Sequence, residues 1–392
     1  MGVPRAAVDY YNRVDRLGAR ANKAARDAFR QVDSKNIRES WRYMAGLLAV
    51  SVASAQVRAA DEGASYGART LAAQGLYEPP EAWVNPQAFG GYSTNGAPLR
   101  HALYAAAPHA LQRIASGSSV GSALRSGEVF AGQIAQSMVT DAGRSAAGVD
   151  TYTRQGVGYI RMVNPGACSR CVLLAGKYYR NNEGFLRHPN CYCIHVQTNT
   201  KAAEDEGLIM DPYEYFNSLS EEAQDKAFTR AGARAIRDGA DMGQVVNSRK
   251  GMSYAGESVD GTRRGQRAKD TTFSGSTRRA HTGGIKNRLT PDAIYRQGLP
   301  REQTLQLLRD QGYLLPQGQV PGGAIVGPDK FAGTAGHMTA AQKRVQTAAL
   351  QWEAVQQGRN PVGKGPLTPD IAARVEDNYR RWITSGGQIY TR

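Results

Sequence analysis

Cys168-Ser-Arg-Cys171, sixteen further residues, then His188-Pro-Asn-Cys191-Tyr-Cys193-Ile-His195 is the stretch that organises the middle of this chain. All four cysteines of the 392 residues fall within the 26 positions from 168 to 193, and such clustering points to one shared site. Tetrahedral zinc takes Cys and His ligands, commonly as two short-range pairs separated by a loop. Cys168/Cys171 makes a C-x-x-C turn, and His188/Cys191 makes an H-x-x-C turn of equal length. Three-residue spacing lets both side chains of a tight turn converge on one ion. Cys193 and His195 follow Cys191 by two and four residues, and on a strand the three share a face. Cys193 can therefore replace Cys191 or His188, and the sequence does not rank these donors. The expected set is Cys168, Cys171, His188 and one of Cys191 and Cys193 around a structural Zn2+. Four protein ligands leave no open position for water, so this metal is expected to clamp a small glycine-rich hairpin rather than to catalyse. The competing accounts are a reduced, metal-free cluster, disulfides in any of three pairings, and a nucleophilic thiolate. For the last, His281 and His337 lie far away in sequence and nothing local activates a thiol.

Working outward, Val157 to Val163 and Cys191 to Gln197 are expected to be strands flanking a polar excursion. After Asp211 helix returns, with Ser218 and Glu221 as a capping box. Residues 151–252 thus form a compact α+β unit. Upstream, residues 1–150 are expected to be helical and rich in alanine. Val8, Tyr11, Val14, Leu17, Ala21, Ala25 and Phe29 recur at helical spacing between Ala6 and Val32. A second helix is expected from Ile37 to Ala73, and others over Leu99–Ile114 and Val120–Ala146. Pro79, Pro80, Pro86 and Pro98 make Leu76–Pro98 an irregular connector. The fold class is mainly α with one small α+β unit stapled by Cys and His.

Downstream, residues 253–290 differ in kind. Between 254 and 290 six Arg and two Lys face three acidic residues, amid Gly, Ser and Thr. Arg263, Arg264, Arg267, Lys269, Arg278, Arg279, Lys286 and Arg288 are the candidate phosphate contacts of a mobile or partner-ordered polycation. Residues 291–392 carry short helical patterns, opened at Thr290-Pro291, Arg301, Thr339 with Gln342, and Thr368-Pro369. They form either a small helical module or arms that order on a partner.

Composition supports this division. Forty-one per cent hydrophobic residues can build cores, while 44 Gly and 17 Pro leave much of the chain to connectors. The net charge of +15 favours anionic partners, nucleic acid above all. The most apolar stretch, Tyr43 to Val57, falls short of the roughly 20 residues a spanning helix needs, so no membrane anchor is expected. The N-terminus has no secretory pattern, and a soluble protein with reduced thiols is expected.

The string Asn164-Pro-Gly-Ala-Cys168-Ser-Arg-Cys171-Val-Leu-Leu-Ala-Gly176, followed by His188-Pro-Asn-Cys191-Tyr-Cys193, resembles the shared domain of the MuF-like minor head proteins of tailed bacteriophages. Asp211-Pro-Tyr-Glu-Tyr-Phe216 and Ala235-Ile-Arg-Asp-Gly239-Ala-Asp241 fit the helical end of that domain in phages of actinobacteria. The resemblance covers 151–252 by motif and 1–150 by texture, and does not reach beyond 254. Where the family often has Arg between the last two cysteines, this chain has Tyr192. The resemblance implies a minor capsid protein, not an enzyme, present in low copy inside the virion at the portal vertex and made in the host cytoplasm. It implies roles in head assembly, genome packaging and ejection. The portal protein is the implied partner, with major capsid or scaffold proteins beside it and packaged double-stranded DNA held through non-specific phosphate contacts.

Two alternatives start from the same residues. One is a zinc-containing DNA-binding or His-Asn-His nuclease-type packaging factor. His188-Pro-Asn190 lacks the acidic residue or second histidine such a site needs before it, and Glu183 is the nearest carboxylate. The other is a toxin carried by the C-terminal segment, as in some relatives, for which 290–392 show no catalytic constellation. No Walker loop, G-x-G-x-x-G or H-E-x-x-H is present.

Overall fold

A computed structural model of the chain describes residues 4–163, 168–180, 193–205, 208–209, 211–248, 288–315 and 340–385. It is mainly helical, with one small antiparallel sheet.

Three long helices form the frame: α1 (Arg5–Phe29), α2 (Ile37–Ala72) and α5 (Val120–Thr153). The buried stripe of α1 runs through Ala7, Tyr10, Val14, Gly18, Ala21, Ala25 and Phe29. Val14, Ala21, Ala25 and Phe29 lie on it as expected, while Ala7, Tyr10 and Gly18 take the places expected of Val8, Tyr11 and Leu17, and at Gly18 a Cβ would crowd Thr140 and Gln136 of α5. The first half of α2 buries one face (Trp41, Ala45, Leu48, Val52), whereas Ala59 to Ala72 is buried almost all round. α5 behaves likewise, its half from Ser137 to Thr153 being nearly enclosed. Small residues make this possible. A Cβ at Gly63 of α2 would overlap the carbonyl of Gly143 on α5, so the two backbones touch where both positions are glycine. α2 holds an 18-residue window apolar enough to cross a membrane by composition, and a third of that window is buried in the bundle.

Between the long helices the proline-rich connector is irregular, as expected, apart from a single 3-10 turn at Pro86–Phe89. The stretch expected as one helix from Leu99 to Ile114 is two, α3 (Leu99–Tyr104) and α4 (Ala106–Ala115). Trp41 fixes this corner by donating its indole N–H to the Leu103 carbonyl at 3.0 Å.

The sheet comprises β1 (Gly158–Val163), β2 (Tyr178–Tyr179) and β3 (Cys193–Thr198) in the order β2-β1-β3. β1 pairs with β3 from Gly158↔Thr198 to Val163↔Cys193 and with β2 through Tyr159↔Tyr179. Ile160 and Val196 join the main core with α1, α2 and α5. Tyr66 of α2, stacked on Tyr10 at 4.1 Å, donates its hydroxyl to the His195 carbonyl. Gln74 reaches the Gln197 carbonyl at 2.7 Å, and Gln197 itself donates to the Ala147 carbonyl and to Asp150. The sheet therefore rests on the helical frame, and α5 passes without a break across residue 150.

α6 (Ser169–Leu173) lies between β1 and β2, and α7 (Thr200–Asp205) follows β3. Then come α8 (Pro212–Ser218), α9 (Glu221–Phe228), α10 (Arg230–Arg237) and α11 (Met242–Ser248). Phe216, Phe228, Ile236, Met242 and Val246 build a second, smaller core together with Val172 of α6. The cap of α9 is Ser220, not Ser218 as expected. Asp211 and Pro212 start a separate helix that uses Ser218 as its last residue, and the Ser218 hydroxyl donates back to the Tyr215 carbonyl.

The C-terminal helices pack onto the frame. α12 (Pro291–Tyr295) and α13 (Arg301–Asp310) bury Ile294, Leu305, Leu308 and Leu314 against Ala60, Phe89, Ala146 and Tyr152. α14 (Ala340–Gln356) and α15 (Pro369–Thr384) close over Trp83 and Tyr77 through Trp352, Val375 and Tyr379. Thr290 and Thr368 cap their helices as expected, while Thr339 lies outside the described residues. Under α15, Arg154 is fully buried between Asp150 and Glu376, with contacts of 3.0 and 2.6 Å. It also donates to the Glu78 carbonyl, and Tyr77 donates to Glu376 at 2.9 Å. One guanidinium facing two buried carboxylates leaves excess negative charge. Burial accordingly pushes Glu376 above its usual range, although Arg154 pulls the other way, while the two carboxylates hold Arg154 firmly protonated.

Candidate metal centre

Cys168 and Cys171 are placed by the start of α6. Cys168 precedes the helix in an extended conformation, and the amides of Cys171 and Val172 both donate to its carbonyl at 2.9 and 3.1 Å. This turn brings the two sulfurs to 3.6 Å. A disulfide needs about 2.05 Å, so the two are not joined to each other. Two thiolates on one tetrahedral zinc, each about 2.3 Å from the metal, stand about 3.8 Å apart. The C-x-x-C turn thus already has the bite of a zinc chelate.

The turn is fastened to the sheet from two sides. After α6 the chain reverses at Gly176, whose φ of +67° is the left-handed region glycine tolerates. Its amide donates to the Arg161 carbonyl at 2.8 Å, and the Arg161 amide to the Lys177 carbonyl. The Arg161 guanidinium, 2% exposed, points across at the cysteines and donates to the Cys171 sulfur at 3.7 Å. A cationic donor suits the anionic thiolate that zinc requires.

Of the other candidate ligands, His188 and Cys191 lie outside the described residues. Cys193 opens β3 as the register partner of Val163, the last residue of β1 before the chain runs on to Cys168. Its backbone therefore belongs to the same end of the sheet as the cysteine turn. His195 pairs with Arg161 one step further in, where its ring is buried and stacked on Tyr159 at 4.5 Å. The described donors fit half of a zinc site. When bound, the metal would supply a cross-link between α6 and the chain entering β3. No group of three or more ligand-type residues converges among the described residues.

The basic candidates Arg263, Arg264, Arg267, Lys269, Arg278, Arg279 and Lys286 lie outside the described residues. Arg288 is described, and its placement differs from the expected phosphate contact. Its guanidinium donates to the carbonyls of Ala88 and Gln311 and lies over the rings of Tyr313 and Tyr92, at 4.1 and 5.2 Å. Its amide donates to the Gly96 carbonyl at 2.7 Å. Arg288 is a clasp between the connector and the end of α13, because its donors meet internal carbonyls before any solvent-borne anion.

Arg161 had no sequence signal as a partner of the cysteines. An arginine in a strand pattern reads as a solvent-facing residue, and only the return of the chain through Gly176 brings it to Cys171. In comparisons with known proteins, no family model, no curated protein and no solved structure matches this chain.

Proposed function

We propose that this chain is a MuF-like minor head protein of a tailed phage. It sits inside the capsid at the portal vertex and acts in head assembly and in genome packaging and ejection. One observation supports the reading most: the motif that carries the resemblance presents Cys168 and Cys171 at chelating distance, tied by Arg161 to the sheet that Cys193 enters. In this proposal Cys168, Cys171, His188 and one of Cys191 and Cys193 hold a structural zinc ion. The helical frame contacts the portal protein, and the arginines and lysines from 263 to 286 lie along DNA phosphates. The role is structural: zinc ligands drawn wholly from the protein leave no position for a substrate.

Mass spectrometry of purified particles, before and after genome release, tests this. The chain should be found in low copy in full particles, and its loss on release would mark it as ejected with the genome. Absence from full particles would refute the assignment.

A further inference from the structure

A cavity of about 560 Å³ opens between α1, α2, the 3-10 turn and the end of α15. Five arginines line it: Arg13, Arg16 and Arg20 from α1, Arg58 from α2 and Arg381 from α15. Its two carboxylates are already committed. Glu62 accepts from Arg13 at 2.7 Å, and Asp61 from the buried Arg380 at 2.7 Å. Asp377 beside the rim pairs with Arg380 and Arg381 at 3.2 and 2.9 Å. Arg16, Arg20 and Arg58 are exposed and form no ion pair with any described residue. Three guanidinium groups thus converge on one hollow with no counter-charge of their own, and a concave wall concentrates their field.

We infer that this hollow is a binding site for phosphate groups, which it takes from a nucleic-acid backbone. Guanidinium matches phosphate through paired, planar N–H donors. The α1 arginines recur at three and four residues, so they rise by about 4.5 and 6 Å along the helix. The unpaired Arg16 and Arg20 stand about 6 Å apart along the helix, close to the roughly 6.8 Å of axis that separates every second phosphate of one strand. Arg58 and Arg381 close the hollow from the opposite walls. The site is separate from the basic residues 263–286 and does not depend on the zinc centre, so it stands or falls independently of the proposed function.

The test uses the full chain with Arg16→Gln, Arg20→Gln and Arg58→Gln combined. All three are exposed, so the melting temperature should stay near wild type and serves as the folding control. Binding of a fluorescent 20-base-pair duplex, measured by anisotropy across a salt series, should weaken at least tenfold. The slope of log affinity against log salt should become shallower by roughly two to three. A lysine triple variant, R16K/R20K/R58K, should recover most of the affinity. Inorganic tripolyphosphate separates the sources. If the glutamine triple loses tripolyphosphate-induced thermal stabilisation but binds duplex as wild type, the phosphate is that of a small molecule and the nucleic-acid assignment is overturned. If neither ligand distinguishes the triple from wild type, the site itself is refuted.

Discussion

Arg154 shows how much of this fold turns on single buried side chains. It is fully enclosed, and it holds Asp150 of its own helix together with Glu376 of α15. Removing it leaves two buried carboxylates without a cation, so Arg154→Met should cost about 3–5 kcal/mol, read as a shift in the urea midpoint. Glu376 makes the converse prediction. Its folded pKa is raised above the unfolded value, first by burial, so the native state binds more protons than the unfolded one. The stability it contributes is complete below the unfolded value and is lost as pH climbs through the folded one. Glu376→Gln keeps the shape and stays neutral, so it should flatten that decline. A midpoint that falls with rising pH as steeply in the variant as in wild type would contradict the assignment. Arg288 belongs to the same class. Arg288→Ala should cost about 1–3 kcal/mol through the carbonyls of Ala88 and Gln311 left without their donor, with duplex affinity unchanged. None of these roles was legible in sequence, because a charged residue in a periodic pattern reads as a solvent-facing one. The cysteine turn was legible, since three-residue spacing lets both sulfurs converge once the chain makes a tight turn, as it does at the start of α6.

Among the elements, the long helices follow from periodicity, and their ends follow from capping chemistry. α2 begins and ends within one residue of expectation. α5 runs seven residues past its expected end at Ala146, and its last two turns bury Asp150, Thr151, Tyr152 and Thr153 beside Ala147 and Val149, a mixture that gives no clean apolar spacing. β2 is two residues long, too short to carry a pattern, and it exists because Gly176 turns the chain back onto β1. Ile160 and Val196 anchor the sheet in the main core, so its folding does not rest on metal alone. If the proposed zinc is bound, chelating it should therefore loosen α6 and the path into β3 while the long helices persist. Amide hydrogen exchange checks this: protection should fall around Cys171 and Val172 and hold at Val139 and Ala147. Uniform loss would mean that the metal supports the whole fold. At the start of α15, Thr368→Ala should cost about 1 kcal/mol through the lost bond to the Ile371 amide.

Across the whole molecule, the C-terminal helices complete the N-terminal bundle. Trp382 and Ile383 pack beside Trp83 and Val345, and Ala373 beside Ala68 and Ala72. Sequence left open whether residues 291–392 were a module or arms, since docking over some 300 residues of separation leaves no local signature. Trp382→Ala should destabilise the entire cooperative unit by about 3–5 kcal/mol rather than melt a separate transition. Two resolved transitions in calorimetry would contradict a shared core. The proposed function has its own anchor, a single metal ion gathered by the motif that carries the family resemblance. Elemental analysis of the purified, chelator-washed full chain tests it most directly. About one zinc per chain, falling towards zero in a Cys168→Ser, Cys171→Ser double variant, is the predicted result; a metal-free wild type whose four thiols all titrate freely would contradict it.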